Sequence, residues 1–375
     1  MKIAVNTRLL LKNRLEGIGV FAYETLKRIT VNHPEHEFIF LFDRSFNKDF
    51  IFSNNITPVV IPPQARHPAL FYIWFEYSVA RAIQKHQADL LFSPEGYLSL
   101  RSPVRSINTI HDLNFEHDDY GISFLNRNYF RYFFPKYARK ASRIVTVSEF
   151  SKMDIITRYG IDEQKIDIVP NASSEGFIKL DESAKEKVRI KYSSGNPYFL
   201  YVGSIHPRKN ISNLLLSFEQ FRNQSSLVFN LILAGNKSGW NSEMQKVYDT
   251  MKHKSNVIFT GRVDHEELCN ITASAFASMN ISRHEGFGIP ILEAMSCGVP
   301  VISSDVTALP EIAGGASLLI NPDSVPSIAE AMQKIAADSR IRKELIEKGI
   351  VRNRDFSWDR SAESLWRSIE KTSES

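Results

Sequence analysis

Two glutamates, Glu285 and Glu293, stand with seven residues between them in the segment SRHEGFGIPILEAMSCGVPVISSD, residues 282–305. Gly286 and Gly288 follow the first, and Pro290 takes the opening position of a helix that the pattern ends at Gly298, just before Pro300. A glycine-bearing loop feeding a helix N-terminus turns backbone amides toward an anion, so this stretch is suited to phosphate. Flanking carboxylates suit the hydroxyls of the same ligand. Solvated glutamates on an ordinary strand–loop–helix crossover explain either one alone, but not the whole set. Arg208 and Lys209 form a second group, placed after the apolar run 198–202 and Gly203. A planar guanidinium fork beside a compact ammonium matches a diphosphate. His111, with Asp112 beside it as a candidate orienting group, ends another apolar run, 106–110. A Gly-x-Gly-x-x-Ala match at Gly17, Gly19 and Ala22 is not a dinucleotide fingerprint, because residues 7–16 separate it from its strand.

These groups need strands that end at one edge. Short β-branched or aromatic runs at 2–5, 38–42, 90–92, 106–110, 144–147 and 166–169 alternate with helix-length segments. The pattern restarts at 198–202, 229–234, 257–260, 277–281, 300–303 and 317–320. Apolar strands joined by helices indicate buried parallel sheets, and two such series predict two doubly wound α/β domains. The expected division is 1–172 for the first domain, a polar linker over 173–196, and 190–354 for the second. A final helix over 356–375, carrying Trp358 and Trp366, is expected to pack back on the first domain.

The segment EGFGIPILEA followed by GVPVISSD resembles the signature of the family-4 (group 1) retaining glycosyltransferases, which have the GT-B fold of two Rossmann-like domains facing a cleft. Residues 201–210 (YVGSIHPRKN) are similar to that family's phosphate-binding loop, 259–263 to its base-pocket strand end, and 309–313 to the segment after the signature helix. The nearest subgroup is bacterial mannosyltransferases of O-antigen, capsule and exopolysaccharide assembly. The resemblance implies transfer of a hexosyl group, mannose favoured, from a nucleoside-diphosphate sugar to a hydroxyl of a glycan or lipid-linked acceptor held by the first domain. It implies a catalytic set of His111, Arg208, Lys209 and Glu285. Donor contacts would come from Gly19, taken as a loop glycine, Gly203, Ser204, Arg208, Lys209, Arg262, Val263, Glu285, Gly286, Phe287, Gly288, Ile289 and Glu293. Glu293 would hold the ribose and Glu285 the sugar. Many family members carry Arg where this chain has Ser204. A sugar-nucleotide epimerase, or a non-catalytic sugar-nucleotide-binding subunit, stays open as an alternative.

The 375 residues are 43% hydrophobic and 23% charged, which excludes fibrous and disordered classes. The net charge of +4 lies wholly in residues 1–172, which hold 22 basic and 18 acidic side chains. Phe124–Lys140 interleaves Arg127, Arg131, Lys136, Arg139 and Lys140 with aromatic residues. That mixture suits an anionic membrane surface, and a buried aromatic face with a basic outer face fits it equally well. Nothing resembles a nucleic-acid module. Two cysteines, Cys269 and Cys297, give neither a disulfide framework nor a metal-ligand spacing, so a reduced, cytoplasmic setting is expected, with peripheral contact at the inner membrane face open. No Asp-x-Asp triplet occurs, so no metal and no cofactor are expected.

Overall fold

The computed structural model describes residues 1–12, 15–117 and 122–374. The chain divides into two compact units, Met1–Asn171 with Ser357–Ser375, and Ala172–Phe356. Each is built on one parallel sheet. The first sheet holds β1 (Lys2–Asn6), β2 (Glu37–Phe42), β3 (Ile56–Val60), β4 (Leu90–Ser93), β5 (Arg105–Thr109), β6 (Arg143–Thr146) and β7 (Ile166–Ile168). Their order is β3-β2-β1-β4-β5-β6-β7. The second holds β8 (Tyr198–Val202), β9 (Asn230–Ala234), β10 (Val257–Gly261), β11 (Ala277–Asn280), β12 (Val301–Ser304) and β13 (Ser317–Ile320), ordered β10-β9-β8-β11-β12-β13. Both are doubly wound, as the alternating pattern predicts. The central strands are apolar on both faces because helices cover both, and so β2 and β9 read as continuous hydrophobic runs.

Three departures from the sequence expectation have physical causes. β3 was not expected, since Pro58 interrupts it. It lies at the sheet edge, where a missing amide need not break the ladder. Residues 173–196 are not simply a linker, because they contain the helix Glu182–Ser193 and fall within the second unit. Only Val188 and Tyr192 of that helix pack on the core, so its many charges conceal a narrow apolar stripe. Asp181 caps it by accepting from the Ala184 amide at 2.8 Å. The second unit also begins earlier than 190, at Ala172.

The last helix, Trp358–Glu374, belongs to the first unit and packs on the helix Gly17–Asn32. Trp366 stacks on His33 with ring centroids 3.8 Å apart, and Ser361 Oγ donates to the Pro170 carbonyl at 2.6 Å. In each sheet the order reverses once, between β1 and β4 and between β8 and β11. Loops leaving those strands diverge, opening a crevice at the C-terminal edge where ligands of such sheets are received.

Candidate functional site

The second unit gathers most of the expected residues at its reversal point. β8 is followed by Gly203, whose φ of +142° already favours glycine. The Gly235 backbone passes so closely that a Cβ there would lie 1.8 Å from the Gly203 oxygen. Tyr201 Oη donates to the Ser204 carbonyl at 2.8 Å and holds the turn. A single 3-10 turn, Pro207–Lys209, then presents both cations. Asn210 is buried at φ +62°, and its Nδ2 donates to the Ile281 and Pro322 carbonyls at 3.2 and 2.6 Å. This residue ties the β8 loop to the end of β11. Sequence reasoning passed over it; its only local signal is an asparagine directly before a helix.

Arg208 and Lys209 thereby reach Glu285. Arg208 Nη1 donates to the His284 carbonyl at 2.5 Å and to Glu285 Oε2 at 3.1 Å, while Lys209 Nζ pairs with Glu285 Oε1. Ser282 Oγ donates to that same oxygen at 2.7 Å. Burial alone would raise the Glu285 pKa, but Lys209 and Arg208 outweigh it and bring it down to about 2. The carboxylate is ionised at any physiological pH. Gly286, Phe287 and Gly288 lead on to the helix Ile289–Ser296, with Pro290 in its first turn. Gly288 has φ +101°, and a Cβ there would lie 2.6 Å from Leu309 Cδ2, so only glycine fits. Phe287 anchors the loop edge-on against Phe356, with centroids 5.7 Å apart. Arg262 and Val263 follow β10 on the same edge of the sheet.

Glu293, one helical stretch beyond, is treated very differently. It is 8% exposed, and among the described residues no hydrogen bond or ion pair reaches its carboxylate. Burial pushes its pKa up to about 8.

The first unit holds the other two expected residues. His111 Nε2 lies 2.8 Å from the Pro94 carbonyl, and its ring meets Phe21 edge-on at 5.0 Å. Burial lowers its pKa, leaving a neutral ring. Asp112 was expected to orient it; instead Asp112 Oδ1 accepts from the Asn114 amide at 3.1 Å, and the Pro94 carbonyl does the orienting. Gly19 is not in a loop but in the first turn of Gly17–Asn32. The apolar spacing of Phe21, Ala22, Leu26 and Ile29 carries the helix back to Gly17, and a Cβ on Gly19 would come within 3.1 Å of the Leu9 oxygen.

Sequence reasoning also missed a buried pair at the reversal point of the first unit. Arg8 donates from Nε and Nη2 to Glu95 at 3.0 and 2.5 Å, and from Nη1 to the Ala65 carbonyl at 3.0 Å. Asn6 Nδ2 adds a bond to Glu95 Oε1 at 2.6 Å. The available signal was a charge two residues past the end of each of two buried strands.

Comparison with known proteins bears directly on this geometry. The model for Glycosyltransferase Family 4 matches residues 16–173, and that for Glycosyl transferases group 1 matches 182–352. An O-antigen chain mannosyltransferase B of Escherichia coli is 30% identical over 367 residues, covering 93% of this chain and 94% of that one. The chain belongs to the group 1, family 4 glycosyltransferases. This glycosyltransferase is also 31% identical over 229 residues to the O-antigen chain mannosyltransferase RfbU of Salmonella typhimurium, covering 60% of each chain. Among solved structures, a Thermosynechococcus elongatus sucrose-phosphate synthase superposes with a TM-score of 0.79 at 18% identity, covering 99% and 98% of the two chains. Anabaena HepE in complex with UDP and glucose gives 0.78 at 16% identity, covering 99% and 100%. The fold of the glycosyltransferase is therefore GT-B.

Proposed function

We propose that this glycosyltransferase moves a mannosyl group from a nucleoside-diphosphate mannose to a hydroxyl of a glycan or lipid-linked acceptor in surface-polysaccharide synthesis, with retention at the anomeric carbon. The observation that carries the reading is the convergence of Arg208, Lys209 and Glu285 beside a glycine-capped helix N-terminus at the reversal of the second sheet. Likeness to an O-antigen mannosyltransferase along nearly the whole chain supports mannose.

As the bond from C1 to the diphosphate breaks, negative charge grows on the leaving oxygens. Arg208, Lys209 and the amides near Gly288 meet that charge. Glu285, held ionised, accepts from sugar hydroxyls; Glu293 takes the ribose, and Arg262 and Val263 border the base. His111, fixed by Pro94 as the Nε2–H tautomer, leaves Nδ1 as an acceptor for a sugar hydroxyl. The acceptor oxygen bonds to C1, and its proton passes to the departing phosphate. No side chain is assigned as nucleophile.

The basic loop and the missing Asp-x-Asp support chemistry without a metal. Incubation with GDP-mannose, acceptor and excess EDTA tests this: transfer should persist, and loss with rescue by Mn²⁺ would overturn it. Turnover of donor without acceptor would favour an epimerase.

The acceptor side is proposed to meet an anionic inner membrane face through the helix Phe124–Lys140. Tyr129, Phe134 and Tyr137 are buried in the core, yet Phe124, Leu125 and Tyr132 are exposed, with Tyr72 and Ile73 also exposed on the neighbouring helix Pro68–Ile73. Lys136 Nζ sits 3.3 Å from the Tyr132 ring centroid. Among the described residues no helix is long and apolar enough to cross a membrane, so the contact would be peripheral. Neutralising Arg127, Arg131 and Lys136 should release the protein from anionic vesicles, and wild-type protein that ignores such vesicles at low salt would remove the idea.

A further inference from the structure

Among the described residues, no hydrogen bond or ion pair reaches the buried carboxylate of Glu293. The helix Ile289–Ser296 turns Glu293 inward, and its carboxyl retains only slight access to solvent. The ionisable groups that face it are thiols: Cys269 from the helix His265–Ala273 and Cys297 just past its own helix. Burial raises these thiols to about 11 and about 12, so neither brings a charge at neutral pH. Several charges on the elements packed against this helix are engaged with other groups. On Ser339–Asn353, Arg352 donates to the Glu311 and Ile312 carbonyls and pairs with Asp355. Along that same helix Lys343 pairs with Glu347 and Lys348 with Glu344, while Arg342 donates to the Ile335 carbonyl. On His265–Ala273, His265 Nε2 lies 2.6 Å from the Glu175 carbonyl, Glu266 acts on the Cys269 thiol, and Glu267 pairs with Lys191. β11 and β12 bring only serine, asparagine and apolar side chains.

We propose that binding a nucleoside-diphosphate sugar expels a proton from Glu293, whose carboxyl is neutral in the free protein and becomes a carboxylate when the ribose cis-diol donates to its two oxygens. This rests on the reading of the second unit as the donor site. The O–H bond of the carboxyl breaks, the proton leaves to solvent, and two hydroxyl hydrogen bonds replace the hydration that burial denies the anion. The raised pKa agrees with that geometry, because burial is its only cause. Donor capture is then linked to pH: acid holds the carboxyl neutral and competes with the diol. His206, beside Arg208 and Lys209, has its pKa lowered chiefly by burial, so it is mostly neutral near pH 7 and has no proton to release there.

The test is calorimetric titration of the full-length protein with GDP-mannose and UDP-glucose, whose diphosphates have no titrating step near neutrality. Runs at pH 7 in buffers of different ionisation enthalpy count the protons exchanged. Release of about 0.9 proton per site is expected, with affinity roughly 10–50-fold weaker at pH 6 than at pH 8. The 2′,3′-dideoxy form of the same nucleotide sugar should bind more weakly and release none. Glu293→Gln should also release none, and the dideoxy probe gives the same answer without a variant. Binding by the wild type with no proton release overturns the proton linkage and leaves the donor site standing. Failure of every nucleotide sugar to bind overturns both.

Discussion

Both units reverse their strand order at one point, and both place a base and a glutamate there. In the first unit Arg8 follows β1 and Glu95 follows β4; in the second, Arg208 and Lys209 follow β8 and Glu285 follows β11. The two pairs are built into opposite surroundings. Arg8 sits 5.1 and 5.3 Å from the Phe71 and Tyr97 ring centroids, with a carbonyl filling its remaining fork. Only 10% of its side chain and 2% of that of Glu95 are exposed. Lys209 and Glu285 are 18% and 15% exposed, and Gly286 follows the carboxylate directly in the chain. One topology thus supplies the same place twice. Aromatic packing and burial make one copy a staple, while the other stays more open to solvent, as the proposed diphosphate site requires.

The strongest way to break this comparison is Arg8→Ala. It should remove about 3–5 kcal/mol of stability from the first unit, because Glu95 is left buried without a counter-charge, with only the Asn6 amide still donating to it. Segment-resolved hydrogen exchange on the full chain would read the loss, and unchanged protection around β1 and β4 would refute the staple.

Lys209→Ala should do the reverse, leaving folding nearly intact while lowering kcat by roughly 10²–10³. A rise in KM with wild-type kcat would mean that Lys209 only binds the ground-state diphosphate.

A third difference concerns acid. The Glu285 pKa is depressed to about 2, so its stabilisation is present above the ordinary carboxylate range and lost as pH falls toward 2. The expected loss is about 3 kcal/mol between pH 5 and pH 2. Fluorescence of Trp240, the one tryptophan of the second unit, would follow it. In Glu285→Gln that acid transition should flatten.

The smallest effect should come from Arg208→Ala, about tenfold in kcat, since the neighbouring Lys209 keeps a cation on the leaving phosphate. Equal losses in the two variants would make them one functional unit.

What the sequence determined by itself is what acts over short range. Apolar runs spaced by helices specify two parallel sheets because each strand must be covered on both faces. Gly286, Gly288 and Pro290 specify a loop and a helix start because few other residues tolerate those backbone angles. Such constraints span a few residues and are legible in one dimension, as was the family resemblance they carry. Where local polarity misled, it did so in particular places: Pro58 disguised an edge strand, and the charges of 182–193 disguised a helix. The tertiary structure alone decided the partners. Arg8 meets Glu95 across 87 positions, Lys209 meets Glu285 across 76, and Asn210 bridges to Pro322 across 112. It also decided which glutamate has none among the described residues. Glu285 and Glu293 look alike in sequence, but strand order brings two cations to the first and two uncharged thiols to the second. Charge state follows the neighbours and the depth of burial, and neither exists until the sheet closes.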